Sequence, residues 1–312
     1  MVRVGIDIGG TGIQIGAVNN EKKIISKGDI VSRPDLPFPE QVRQIAECVI
    51  STVKEGGFTP DDIEMVGVGI PGIATPDGVI INCSNLGWYD SPFREEFVRY
   101  LNKPVLIDND ANVAALAESV AGISAGSSSS VFVTIGTGIG SGIVLNGKIW
   151  SGAHGIGGEL GHTVLVAGGL PCTCGSRGCL ERYCSATGII HMAREAMVGH
   201  PESLIWQKTG GNPDLVNART VIDAARSADP LAESVYKQFI SYLSMAISNI
   251  VNFLDPEVIV LGGGVSKAGA FLLDAVRKEF PRYVIFRNQP LPRVELAILG
   301  SDAGIIGAAM LS

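Results

Sequence analysis

The amino-acid sequence predicts an α/β protein built from two related lobes. Segments with the composition of β-strands alternate with segments of helical periodicity along most of the chain. A pattern of strand, glycine-rich turn and strand occurs twice, at Asp7–Thr11 and again at Gly136–Gly140. With 312 residues, the chain is also long enough for two domains.

The first lobe is predicted to open with three strands, followed by alternating helices and strands. Turns of glycine or asparagine separate the first strands, and apolar residues three or four apart mark the helices. In order, the pattern predicts strands at Val2–Ile8, Ile13–Val18 and Lys23–Val31, a helix at Phe38–Glu55, strands at Ile63–Ile70 and Pro104–Ile107, and a helix at Ala111–Ala121. Asp110 is expected at the N-cap of that last helix.

The second lobe is predicted to repeat this opening and then to continue mainly as helices. Expected elements are strands at Ser130–Ile135, Ser141–Leu145 and Lys148–Trp150, helices at 186–198, 218–228 and 230–254, a strand at Val258–Leu261, a helix at 265–279, a strand at Val294–Leu299 and a helix at Ala303–Leu311. Residues 199–217 are polar and are expected to form a surface insertion. We place residues 1–112 and 300–312 in the first lobe and 113–299, with a metal-binding segment at 159–181, in the second.

Composition describes an ordinary globular protein without a nucleic-acid or membrane partner. Hydrophobic residues make up 46% of the chain and charged residues 18%. A net charge of −7 gives no electrostatic support for binding nucleic acid. No apolar run is long enough to span a bilayer, and the N-terminal residues read as a strand rather than as an export signal. We therefore expect a cytoplasmic protein.

Four residues form a potential metal-ligand set. His162, Cys172, Cys174 and Cys179 are separated by nine, one and four residues, and three cysteines with one histidine are a typical set for structural zinc. Cys184 is an alternative fourth ligand, but it follows the start of a predicted helix, so we favour His162. A disulfide or uncoordinated thiols are the competing interpretation, which the expected cytoplasmic location disfavours.

Glycine-rich turns at the ends of three predicted strands indicate a nucleotide site. Backbone N–H groups in such turns can surround a phosphate, although a single glycine turn is usually only a hairpin. The residues concerned are Gly9, Gly10, Thr11, Gly136, Thr137, Gly138, Gly262 and Gly263. Asp7, immediately before the first turn, could hold Mg²⁺ or could stabilise the turn itself.

Several polar side chains could bind hydroxyl groups or remove a proton. Glu159 and Glu181 flank the potential metal ligands, so a metal would present both carboxylates from one folded loop. Asp110 could accept a proton from an attacking hydroxyl, although an aspartate before a helix is often only a cap. Asn109 can donate and accept hydrogen bonds at once, and Asn85, in the segment Asn85-Leu86-Gly87-Trp88, is a further candidate.

Together these residues resemble the ROK sugar kinases, a family named for repressors, open reading frames and kinases, over nearly the whole chain. The resemblance implies a two-lobed, actin-like ATPase (ribonuclease H-like) α/β fold with nucleotide and sugar in the cleft between the lobes. It also implies ATP-dependent phosphorylation of a hexose, with ATP, Mg²⁺ and structural Zn²⁺ as cofactors and a homodimer or homotetramer as the assembly.

The resemblance also implies residue roles. Asp110 corresponds to the base, Asn85, Asn109, Asp110, Glu159, His162 and Glu181 to sugar contacts, Gly10, Thr11, Thr137 and Gly263 to ATP contacts, and His162, Cys172, Cys174 and Cys179 to zinc ligands. A kinase for another sugar, a sugar-responsive transcriptional regulator and a binding module without turnover are the alternatives. A regulator of this family carries an additional N-terminal DNA-binding segment, for which the strand expected from Val2 leaves no room.

Overall fold

Two compact units make up the protein in a computed structural model that describes all residues from Met1 to Ser312. The first unit contains Met1–Ser128, Gly142–Gly158 and Ile298–Ser312, and the second contains Ser129–Ser141 and Glu159–Ala297. We describe each unit by itself.

The first unit is built on a mixed five-stranded sheet. Its elements are β1 (Val2–Ile8), β2 (Gly12–Val18), β3 (Ile24–Val31), α1 (Phe38–Glu55), β4 (Ile63–Ile70), β5 (Ile73–Ala74), β6 (Ile80–Cys83), β7 (Trp88–Ser91), α2 (Phe93–Tyr100), β8 (Val105–Asn109) and α3 (Asp110–Val120). The strand order is β3-β2-β1-β4-β8, with β5, β6 and β7 in a separate small sheet. Strands β1, β4 and β8 are parallel, so their carboxyl ends lie at one edge.

Two glycines in the central strands allow a helix to approach the sheet closely. The last helix of the chain (Ala303–Ala309) lies against β1 and β4. A Cβ atom on Gly5 would lie 1.9 Å from the carbonyl oxygen of Ile305, and one on Gly67 would lie 1.7 Å from that of Ala308. Glycine is therefore required at both positions by packing.

Helix α3 belongs to the core of the first unit. Val113 and Leu116 pack with Ala308 of the last helix. The predicted division after residue 112 would cut this helix near its start, whereas its apolar side chains keep the whole helix with the first unit. The buried Glu118 accepts hydrogen bonds from the backbone N–H groups of Ile123, Ile298 and Leu299 at 2.9, 2.9 and 3.0 Å.

The second unit carries most of a second five-stranded sheet and most of the helices. Its elements are β9 (Ser129–Ile135), the first residues of β10 (Ile139–Leu145), α4 (Glu181–Cys184), α5 (Ala186–Ala196), α6 (Leu204–Lys208), α7 (Ala218–Arg226), α8 (Pro230–Leu254), β12 (Val258–Gly262), α9 (Ala270–Glu279) and β13 (Arg293–Leu296). The rest of β10 and β11 (Lys148–Ile149) fall within Gly142–Gly158 of the first unit, and the last helix of the chain is α10. The order is β11-β10-β9-β12-β13. The chain leaves the second unit within β10, after Ser141.

Most predicted elements are present, with three differences. The small β5–β7 sheet was not predicted, because its strands have only two to four residues, and the eight-residue helix α2 was not predicted either. The expected insertion at 199–217 contains α6, whose Ile205 is fully buried, so this segment is packed rather than simply exposed. The N-cap of α3 is Asn109, not Asp110: the Asn109 side chain accepts from the N–H of Ala111 at 2.9 Å.

Trp88 lies in the core, and its indole N–H donates to Gln41. None of the helices is both long and apolar enough to cross a membrane.

Candidate functional site

In the first unit, the sheet brings several candidate residues to one edge. Asp7 pairs in register with Gly69 of β4, which pairs in turn with Asp108 of β8. Asp110 comes two residues further along, as the first residue of α3. The side chain of Asn109 donates to the carbonyl of Gly72 at 3.2 Å, which links the loop after β4 to the end of β8.

Asp7 and Asp110 interact electrostatically. Burial, together with the negative charge of Asp110, raises the pKa of the Asp7 carboxyl from 3.8 to about 6. The charge of Asp110 therefore makes Asp7 harder to ionise, and a divalent cation would relieve the repulsion between the two groups. Asp110 itself is exposed at the start of its helix, where a ligand can reach it.

Asn85 lies beside the first glycine turn. A Cβ atom on Gly10 would be 3.2 Å from its side-chain nitrogen. The turn is closed by a hydrogen bond from the N–H of Gly9 to the carbonyl of Gly12 at 2.9 Å. Asn85, a predicted sugar contact, therefore lies next to Gly10, a predicted ATP contact. Thr11, between Gly10 and Gly12, is exposed.

Asp108 and Asn112 support the segment that carries Asp110. The Asp108 carboxylate accepts from the backbone N–H of Asn109 at 2.7 Å and from the side chain of Asn112 at 2.8 Å. Burial raises the pKa of Asp108. The sequence assigned neither residue a function, and their spacing of four residues was the available signal.

Cys83 is a further neighbour that the sequence did not indicate. Burial, and to a smaller degree the charge of Asp110, raise the pKa of its thiol. It ends β6, a strand of four residues, so only the folded chain shows its proximity to Asp110.

In the second unit, the four predicted metal ligands come together. One ligand atom from each of His162, Cys172, Cys174 and Cys179 lies within 4.8 Å of the others. The Sγ atoms of Cys174 and Cys179 are 3.6 Å apart, and Cys172 Sγ lies 3.8 Å from Nδ1 of His162. A tetrahedral zinc ion with Zn–S bonds of about 2.3 Å separates its ligand atoms by about 3.8 Å, so the arrangement fits zinc. Cys184 lies outside this group.

The thiols of the cluster influence one another's ionisation. For Cys172, hydrogen bonds from Cys174 and His162 outweigh burial, and its pKa is lowered to about 7. For Cys179, burial and the neighbouring Cys174 and Cys172 raise the pKa to about 11. Several thiolates at this spacing repel one another, and zinc would stabilise them together.

The second glycine turn lies beside Glu181. Its carboxylate oxygen Oε2 accepts from the backbone N–H of Ile139 at 3.1 Å, while Oε1 is 4.0 Å from Cys172 Sγ. Glu159 is exposed and precedes the short helical turn Leu160–His162. Glu181 is thus next to the potential metal cluster and to the turn at Gly136–Gly138.

The third glycine run lies at the same edge of the second sheet. β12 and β9 are parallel, and Gly262 pairs with Thr134. Gly263 has a φ of +84°, and a Cβ atom there would lie 2.6 Å from the backbone of Ile135. Backbone groups of two glycine turns are therefore presented side by side, as a phosphate or ribose site needs.

Comparisons with known proteins agree over the full chain. A model of the ROK family matches residues 3–312. A glucokinase of Halalkalibacterium halodurans is 39% identical over 313 residues, covering 99% of this chain and 94% of its own. The structure of a ROK hexokinase from Thermus thermophilus matches with a TM-score of 0.85 and 34% identity, covering 99% of this chain and 97% of that one.

A ROK glucokinase from Streptomyces griseus, solved in complex with glucose and AMPPNP, matches with a TM-score of 0.81 and 31% identity over 99% of this chain and 98% of that one. These matches confirm the predicted α/β fold of the actin-like ATPase class.

Proposed function

The chain belongs to the ROK family, and from that premise we propose that it is an ATP-dependent hexose kinase, with glucose phosphorylated to glucose 6-phosphate as its reaction. The observation that carries the proposal is the full-length similarity to proteins named glucokinase, two of them at 39% and 34% identity. The carboxylates at the edge of the first sheet supply the chemistry that this reaction needs.

Asp110 is the proposed general base. The exposed carboxylate would accept the proton of the sugar 6-hydroxyl as the hydroxyl oxygen attacks the γ-phosphorus of ATP, and ADP leaves with the electrons of the broken P–O bond. Its position at the first residue of α3 is fixed by the Asn109 cap and by the hydrogen bonds of Asp108.

The glycine turns are the proposed nucleotide contacts. Backbone N–H groups of Gly9–Thr11, Gly136–Gly138 and Gly262–Gly263 would bind phosphate and ribose oxygens. Asp7 would hold Mg²⁺ directly or through water, and the ion would offset the charge of the phosphates. The raised pKa of Asp7 and its interaction with Asp110 indicate a place where a bound cation is favourable.

Asn85, Asn109, Glu159, His162 and Glu181 are the proposed contacts to sugar hydroxyls. Within the cluster, Nδ1 of His162 faces Cys172, so Nε2 remains for the sugar. With three cysteines and one histidine as ligands, zinc would be structural, since no coordination position is left for chemistry.

The remaining expectations from the sequence form part of this proposal: a cytoplasmic location, no nucleic-acid or membrane partner, and a homodimer or homotetramer. They rest on the composition and on the family, and size-exclusion chromatography with light scattering would test the assembly.

A coupled assay of ADP release tests the proposed activity. Purified protein is incubated with Mg·ATP and, separately, glucose, mannose, allose, fructose and N-acetylmannosamine. We expect sugar-dependent ADP release that is fastest with glucose, and a product phosphorylated at the 6-position. A rate that is the same with and without every sugar would refute the proposal; a preference for another sugar would correct the substrate.

A further inference from the structure

The glycine turn at Gly136–Gly138 is held by one short segment of the second unit. The N–H of Ala186 donates to the carbonyl of the turn's first residue at 2.8 Å. The hydroxyl of Thr187 donates to the carbonyl of its second residue at 2.8 Å. The Glu181 carboxylate accepts from the N–H of Ile139, the residue that follows the last glycine of the turn. Residues 181–187 therefore contact the turn along its whole length.

This segment begins next to a metal ligand. Cys179 lies two residues before Glu181, and Glu181 Oε1 is 4.0 Å from Cys172 Sγ. The segment around the ligand His162 packs at the same place: a Cβ atom on Gly161, the neighbour of His162, would be 2.2 Å from the carbonyl oxygen of Ile139. Residues next to the first and the last metal ligand thus both pack against the start of β10.

Glu181 fits against the turn without spare room. A Cβ atom on Gly138 would lie 2.1 Å from Glu181 Oε2 and 3.1 Å from its Cδ, and the third-nearest atom, at 3.8 Å, also belongs to Glu181. Gly138 does not have a left-handed backbone conformation. A side chain at position 138 would therefore have to displace the Glu181 carboxylate, whereas the backbone angles alone would allow one.

We infer that Glu181 is a positioning residue for the Gly136–Gly138 turn, through which the metal cluster keeps that turn in the shape that binds nucleotide phosphates. The inference rests on the proposed function, which makes the turn a nucleotide contact. Glu181 would then have two roles: the proposed contact to the sugar, and the positioning of the nucleotide-binding turn through the oxygen that accepts from Ile139. Loss of the metal would then weaken nucleotide binding even when no sugar is present.

Nucleotide affinity in the absence of sugar is the direct test, measured by calorimetry with a non-hydrolysable ATP analogue. We expect Glu181→Ala to weaken binding about tenfold, the equivalent of one lost hydrogen bond to a charged acceptor. Glu181→Gln keeps an acceptor oxygen for Ile139 and should stay within about twofold of wild type. Zinc-stripped wild type, measured below its own unfolding temperature, should resemble Glu181→Ala. Glu195→Gln, at an exposed position on α5 of the same unit, is the control and should bind nucleotide normally.

A double-mutant cycle separates positioning from general loss of structure. Gly138→Ala should weaken nucleotide binding in the wild-type background and should add little in the Glu181→Ala background, because the atoms it would collide with are gone. The inference is overturned if Glu181→Ala binds nucleotide normally, or if Gly138→Ala costs the same in both backgrounds. Hexose phosphorylation by the wild type, measured on the same preparation, reports on the proposed function independently of these affinities.

Discussion

Replacing Asp7 with asparagine should stabilise the ligand-free protein at neutral pH. Burial, reinforced by the charge of Asp110, raises the pKa of Asp7 from 3.8 to about 6, so the folded state resists ionisation of this carboxyl. Between these two values the folded protein binds more protons than the unfolded chain, and its stability falls as pH rises. One pKa unit corresponds to about 1.4 kcal/mol, which gives a penalty of about 3 kcal/mol above pH 6.

Asparagine has no charge to bury and removes this penalty. The free energy of unfolding of Asp7→Asn should exceed that of wild type by about 2–3 kcal/mol at pH 7.5, and the difference should shrink through pH 4 and disappear towards about pH 3, below both pKa values, where Asp7 is protonated in both states of the wild type. Urea denaturation in Mg²⁺-free buffer across this range measures the difference. Asp274→Asn, an exposed position on α9, should change the free energy by less than about 0.5 kcal/mol at every pH.

A difference between Asp7→Asn and wild type that does not vary with pH would refute this reasoning. The same substitution should impair nucleotide-dependent turnover, since asparagine is a poorer ligand for Mg²⁺ than a carboxylate. Stability and function would then make opposite demands on this residue, as is common in active sites.

Two further predictions concern groups that stabilise one unit from within. Glu118→Gln should lower the free energy of unfolding by about 2–3 kcal/mol in urea denaturation, because one amide oxygen cannot accept from all three N–H groups that the carboxylate binds. The control is Glu95→Gln, in an exposed ion pair with Arg99, which should cost under about 1 kcal/mol. Equal effects of the two substitutions would contradict a structural role for the Glu118 hydrogen bonds. The purified protein should contain about one zinc ion per chain by metal analysis, and Cys174→Ser should lose most of it whereas Cys48→Ser in α1 should not; wild type without zinc would contradict the cluster's proposed role.

The sequence predicted the main strands, the long helices and the metal-ligand set because each has a local signal. Periodicity marks Phe38–Glu55, and ligand spacing marks His162 to Cys179. The sequence did not predict the small β5–β7 sheet, whose strands are too short for periodicity to show. It also placed Asp110 at the cap of α3, where Asn109 stands, because both residue types are favoured caps.

Contacts between distant segments were beyond sequence reasoning. Nothing local indicates that Glu118 binds the backbone of Ile298, 180 residues away, or that the charge of Asp110 reaches Cys83. The role of Glu181 at the glycine turn likewise appears only once the chain is folded. These contacts depend on tertiary packing, so the sequence could name candidate residues but could not show which of them meet.

The turnover of Asp110→Asn tests the central claim most directly. Asparagine preserves the size of the side chain and can still accept from the N–H of Ala111, but it cannot take a proton from a hydroxyl. We expect kcat for hexose phosphorylation to fall by about a hundredfold or more, while calorimetry shows glucose affinity within a few-fold of wild type and circular dichroism shows an unchanged fold. Turnover close to that of wild type would contradict the assignment of Asp110 as the base.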